Sequence, residues 1–204
     1  MAETIETGLV YIHRTKPAKR FVGCGALIEG GYIATCRHVW CEATKVAPGS
    51  TPEQPLGVEV EYPRAREATA TVTSPVGLAD ACDDPTIADP LTDLVLLQPA
   101  RIPAGVFPLH LAAQDQYEIG PGYVHARVKR TDQQGRDIWQ EVFPRGTIDP
   151  HLTNEGLRQF TGIRSGQYWF TSGASGSPLF LEPPAQQLAG ILSLSELGAS
   201  AMCW

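Results

Sequence analysis

Short apolar runs broken by glycine and proline recur along the whole chain. Gly8-Leu9-Val10-Tyr11-Ile12 predicts a first strand and Phe21 to Ile28 a second. Gly30-Gly31 then leads into Tyr32-Ile33-Ala34-Thr35, and two glycines between apolar runs favour a tight hairpin turn. Further strands are predicted over Gly57 to Tyr62, Ala68 to Thr73 and Leu94 to Gln98. Beyond a proline-bounded segment at 99–108 the pattern restarts with Tyr123 to Val128, Ile138 to Phe143 and Arg145 to Ile148. It continues with Gln167 to Thr171, Pro178 to Leu181 and Leu188 to Leu194. Seventeen prolines and twenty glycines favour many turns and few long helices. An all-β sandwich or barrel is expected, in two halves, 1–104 and 105–204, joined by the proline-bounded segment.

Two longer loops interrupt the series, Ala43 to Gly57 and Ser74 to Asp93. The second carries Asp80, Asp83, Asp84 and Asp89, which read as a solvated face rather than a cation site.

Composition narrows the partners. Hydrophobic residues make up 43% of the chain and charged ones 19%, the balance of a globular protein rather than a disordered one. A formal charge of −6, with no basic patch interleaved with aromatics, argues against nucleic acid as a partner. The start, Met1-Ala2-Glu3-Thr4-Ile5-Glu6-Thr7, has neither the basic residues nor the apolar run of a secretory signal. No stretch is apolar for long enough to span a bilayer, so no membrane partner is expected. Five cysteines, an odd number without regular spacing, suggest reduced thiols and a cytoplasmic protein.

Three segments carry candidate chemistry: Ala34-Thr35-Cys36-Arg37-His38-Val39, Asp93-Leu94-Val95-Leu96-Leu97, and Ser172-Gly173-Ala174-Ser175-Gly176-Ser177-Pro178. A serine hydroxyl is a poor nucleophile until a base takes its proton, and the oxyanion that forms needs backbone N–H donors. Small residues around Ser175 permit a tight turn, with the Gly173 and Ser175 amides as the expected oxyanion donors. His38, where the strand gives way to a turn, is the candidate base. Asp93, opening an apolar run that would half-bury its charge, is the candidate orienting carboxylate, ahead of Asp84 and Asp89.

Chain order limits the alternatives. No histidine follows Ser175 and no aspartate precedes Asp80, which leaves the order histidine, aspartate, serine. His13, His110, His125 and His151 lack a comparable setting and are expected to be structural. Cys36, His38 and Cys41, with Cys24 nearby, also suggest zinc, but C-x-H-x-x-C falls outside the usual paired spacing, and no metal or cofactor is expected. The proximity of Cys36 and Cys41 to His38 also raises sensitivity to oxidation as an expectation.

The same segments, together with Gly25-Ala26-Leu27-Ile28 and Gly190-Ile191-Leu192-Ser193, resemble trypsin/chymotrypsin-like serine peptidases from about residue 8 to the end. The resemblance implies two perpendicular six-stranded antiparallel barrels, with the active site in the cleft between them. The first barrel would carry His38 and Asp93, and the second Ser175 and the specificity pocket. Trp169, Thr171 and Ser172 would form one pocket wall and Ser193, Leu194 and Ser195 another, with Gly190 to Ser193 pairing with substrate backbone.

Val39 stands where secreted members have a disulfide-bonded cysteine, and Ala174 where zymogen-type members have an aspartate. The chain is therefore similar to bacterial members, including high-temperature-requirement proteases and intracellular trypsin-like modules of signalling and defence proteins. It ends at Cys203-Trp204 in a predicted final strand, without the terminal helix of many such proteins, which suggests a truncated module or completion by a partner. The expected function is a regulated serine endopeptidase acting on protein or peptide, with a regulatory domain or protein as a further partner. The alternative is a silent or latent peptidase-fold module that binds peptides or proteins by strand addition.

Overall fold

Strand β1 (Leu9–Arg14) shows why so much of the apolar pattern is continuous rather than alternating. Val10 and Ile12 face one cluster while Leu9 and Tyr11 face another, so both faces are buried. The computed structural model describes residues 5–14, 17–47, 58–65, 69–75, 93–112, 120–152, 158–162, 173–182, 187–193 and 201–203. It is mostly β, with one short α-helix among the described residues.

The first sheet contains β1, β2 (Arg20–Ile28), β3 (Tyr32–Cys36), β4 (Val58–Glu61), β5 (Thr69–Pro75) and β6 (Leu94–Pro99). Its antiparallel order is β1-β2-β3-β6-β5-β4, and β4 returns to β1 through Tyr11↔Glu61 to His13↔Glu59. The second sheet contains β7 (Gly120–Val124), β10 (Arg145–Leu152), β11 (Arg158–Gly162), β12 (Pro178–Leu181), β13 (Leu188–Ser193) and β14 (Ala201–Cys203). Its order is β10-β11-β14-β13-β12-β7, with β7 back on β10. Both sheets are therefore strongly curled, and each pairs back on itself. A separate hairpin, β8 (Ala126–Thr131) with β9 (Asp137–Val142), stands outside them.

Most predicted strands appear within a residue or two of their expected ends. Gly30 and Gly31 both take positive φ, 88° and 80°, and Gly31 N–H closes the hairpin on the Ile28 carbonyl at 3.1 Å.

Three expectations need correction. The segment after Cys36 is not a simple turn but a helix, α1 (Arg37–Thr44), so the loop expected from Ala43 begins later. Tyr123 to Val128 is two strands, not one. Val124 pairs with β12, whereas Ala126 pairs with β9, and the His125 N–H between them goes to the Pro178 carbonyl at 3.1 Å. Strand β10 runs on past Ile148 to Leu152, and β11 was not anticipated. The predicted strand Gln167 to Thr171 and the acidic residues Asp80, Asp83, Asp84 and Asp89 lie outside the described residues.

One core cluster joins the two sheets: Val10, Leu27, Ile33, Val60 and Leu97 pack with Phe180, Leu188 and Ile191. Phe180 is 1% exposed and stacks on Tyr123 with ring centroids 5.1 Å apart. The connector after β6 is also bound to both sheets. Leu109 N–H donates to the Leu27 carbonyl at 2.8 Å. One residue on, the His110 carbonyl accepts from Leu188 N–H at 2.8 Å, and Ala112 N–H donates to the Leu188 carbonyl at 3.0 Å. Among the described residues no helix is long and apolar enough to cross a membrane.

Because Phe180 serves the shared core, Phe180→Ala should destabilise the protein by about 3–5 kcal/mol, read from the midpoint of urea unfolding. A loss below about 1 kcal/mol would mean that the sheets do not depend on this contact.

Candidate functional site

Helix α1 begins without a side-chain cap of its own: Cys36 holds the N-cap position in extended conformation and makes no capping hydrogen bond from its side chain. The cap comes from 55 residues away, where the Asp93 carboxylate Oδ1 accepts the His38 backbone N–H at 3.0 Å. The Asp93 carbonyl accepts the Arg37 N–H. Val39, Trp40, Cys41 and Ala43 bury the inner face of the helix, and Lys45 ends it in a left-handed conformation at φ 65°.

The carboxylate that caps the helix also fixes the imidazole. His38 Nδ1 lies 2.8 Å from Asp93 Oδ2 and 3.0 Å from Oδ1. Burial pulls the Asp93 pKa up, but hydrogen bonds from the His38 ring and backbone, the imidazole's charge and the Ser193 hydroxyl outweigh it. The carboxyl is held below its ordinary value. An ionised carboxylate can only accept, so Nδ1 carries the proton, and whenever the ring is neutral Nε2 presents a lone pair. The His38 side chain is 45% exposed and that of Asp93 18%. The imidazole is thus open to solvent while its partner is largely covered.

The serine segment is shaped by backbone contacts. Ser175 carbonyl accepts Cys24 N–H at 2.9 Å, Gly176 N–H donates to Leu192 carbonyl at 2.8 Å, and Ser177 N–H closes a turn on Ala174 carbonyl at 3.1 Å. Gly173 and Gly176 take φ of 101° and 79°. A Cβ on Gly176 would lie 1.9 Å from the Cys24 carbonyl oxygen, and one on Gly173 would lie 2.6 Å from the Trp139 ring. Both positions therefore require glycine on conformational and spatial grounds.

Among the described residues neither the Gly173 nor the Ser175 N–H donates to a carbonyl. Gly23 marks where the segments converge: a Cβ there would meet the Val39 side chain at 2.7 Å and the Ser175 carbonyl at 2.9 Å. The residue next to His38 and the serine itself thus flank one bare backbone atom. Ser175 is 8% exposed, and among the described residues its hydroxyl makes no hydrogen bond to His38. In unliganded sites such bonds are often long and tighten on substrate binding.

Ser193, expected in a pocket wall, has its hydroxyl committed elsewhere, donating to Asp93 Oδ2 at 2.7 Å. Of the segment expected to pair with substrate backbone, Gly190 and Ile191 pair with β12, whereas Ser193 among the described residues pairs only with β14. Strand β13 lies between β12 and β14. The N–H and carbonyl of Leu192 are both taken by the serine turn. Trp169, Thr171, Ser172, Leu194 and Ser195 lie outside the described residues.

Cys24, Cys36 and Cys41 are free and buried. Burial raises all three thiols, Cys24 to about 11 and Cys36 well above its ordinary value, which keeps them protonated and opposes oxidation. The zinc set suggested by sequence does not assemble among the described residues; Cys36, His38 and Asp93 come together instead.

Glu141, which no sequence pattern singles out, links the hairpin to the first sheet. It accepts from Tyr11 Oη at 2.6 Å and from Arg64 at 3.1 Å. Beside it, Trp139 packs edge-on against Phe21, with centroids 4.7 Å apart, beneath Gly173. No protein-family model matches the chain, and no curated protein matches its sequence.

Gly176→Ala should abolish the native turn and cost about 3 kcal/mol or more, measured by thermal or urea unfolding. The depressed pKa of Asp93 sets a second expectation. Its folded value lies below the unfolded one, so its contribution to stability is complete above about pH 4 and lost as pH falls through the folded value. The difference in urea midpoint between wild type and Asp93→Asn should stay level above that pH and shrink on further acidification. A difference that does not change with pH would refute the ionised pairing.

Proposed function

We propose that the chain is a serine endopeptidase of chymotrypsin-like architecture, two perpendicular six-stranded barrels with the active site in the cleft between them. The carrying observation is the imidazole fixed through Nδ1 on Asp93 and partly open to solvent, with the side chain of its neighbour Val39 and the Ser175 carbonyl both packed at Gly23. Nε2 takes the Ser175 proton as Oγ attacks a peptide carbonyl, giving a tetrahedral intermediate. The amides of Gly173 and Ser175, which donate to no carbonyl among the described residues, receive the oxyanion. The imidazolium, stabilised by the Asp93 charge, then protonates the leaving amine, and water repeats the sequence on the acyl-enzyme. Protein or peptide is the substrate class, no cofactor takes part, and a bacterial cytoplasmic setting in signalling or defence fits the similarity of the segments.

The absence of a Ser175–His38 hydrogen bond favours, as a second reading, a latent form of the same site that a regulatory domain or partner completes. A fluorophosphonate probe separates the possibilities. An active enzyme labels on its own, Ser175→Ala abolishes labelling, and His38→Ala slows it by about a hundredfold or more. Labelling only with a peptide or partner present identifies the latent form. Labelling that persists in Ser175→Ala, or no labelling under any condition, overturns the hydrolytic assignment.

A further inference from the structure

Beneath the proposed catalytic pair lies a third side chain that the reaction does not use. Cys36, fully buried, ends β3 one residue before α1. Its thiol, one His38 ring nitrogen and one Asp93 carboxylate oxygen lie within 4.8 Å of one another. The thiol donates to the Leu192 carbonyl at 3.3 Å, a modest bond for a group placed against a carboxylate. Thiolate sulfur, imidazole nitrogen and carboxylate oxygen are the ligand types that zinc-group cations select, whereas calcium and magnesium prefer oxygen alone. Ligand atoms on one tetrahedral ion of this class stand roughly 3–4 Å apart, so closure requires side-chain movements of about an ångström. The partly exposed His38 side chain borders solvent, from which a water can take the fourth position.

We propose that Cys36, His38 and Asp93 form a binding site for a zinc-group divalent cation that switches the site off. Coordination expels the thiol proton to solvent, because a metal-bound thiol is deprotonated outright. Nδ1, now bound to the metal, gives up its proton, and the neutral ring carries one on Nε2 instead. A protonated Nε2 cannot accept the Ser175 proton, and Asp93 changes from hydrogen-bond acceptor to ligand. The geometry carries the binding; the loss of activity rests on the hydrolytic function proposed above.

Cadmium is a suitable probe, because its bond to thiolate absorbs in the near ultraviolet without any turnover. The full chain carrying Ser175→Ala should show this band, saturating at one equivalent of Cd²⁺. Added Cys36→Ala should remove it, and added Cys41→Ala should keep it. Added His38→Ala, a change at an exposed side chain, should weaken binding at least tenfold and serves as the decisive variant if Cys36→Ala fails to fold. No band, or a titration unaltered by Cys36→Ala or His38→Ala, would overturn the site. In the wild type, Zn²⁺ should block fluorophosphonate labelling and a chelator should restore it. Labelling that Zn²⁺ leaves unchanged refutes the switch. A wild type that never labels refutes the hydrolytic function, while the cadmium titration still decides whether the site exists.

Discussion

The close approach of the serine turn to strand β2 is the constraint on which the site depends. Cys24 N–H reaches the Ser175 carbonyl, and the Cys24 carbonyl occupies the space a Gly176 side chain would need. The same carbonyl accepts the buried Thr35 hydroxyl at 2.6 Å, so β2, β3 and the turn are bonded around a single residue, Cys24. Two backbones can come this close only where side chains are missing, and Gly23 and Gly176 supply the gap from opposite sides. Proximity of the turn to the start of α1 follows from this packing.

Asp93 extends that economy by serving three purposes with one carboxylate. It caps α1, orients the imidazole and receives Ser193 from the other sheet. Each hydrogen bond lowers the cost of keeping a charge in a largely covered place, so the helix cap helps to keep the carboxylate ionised. Folding of the first sheet and the electrostatics of the site are in this way a single problem, solved by one residue.

Most strands of both sheets, though not β11, were legible because their apolar runs are bounded by glycine and proline. The pairing of His38 with Asp93 was legible because each segment keeps its candidate chemistry within a few residues. Helix α1 was hidden for a physical reason. Cys36 is a poor cap, and the true cap lies 55 residues downstream, where no local pattern can reveal it. The break at His125 was hidden because its run is apolar on both sides, and only the change of partner from β12 to β9 divides it. The hydroxyl of Ser193 could have been read as lining a pocket or as a tertiary bond, and its sequence neighbours do not distinguish the two. Glu141 carries no sequence signal because its partners Tyr11 and Arg64 are distant in sequence and a lone acidic residue on a strand looks like a solvated one.

The connector between the halves bears on how motion could travel through the molecule. It is pinned at Leu109 to one sheet and at His110 to the other, so consecutive residues are committed to different bodies with no slack between them. A tether of that kind does not permit the halves to swing open like the leaves of a book. Relative movement of the two sheets is restrained at this point, which favours adjustment at the scale of side chains over that of whole sheets.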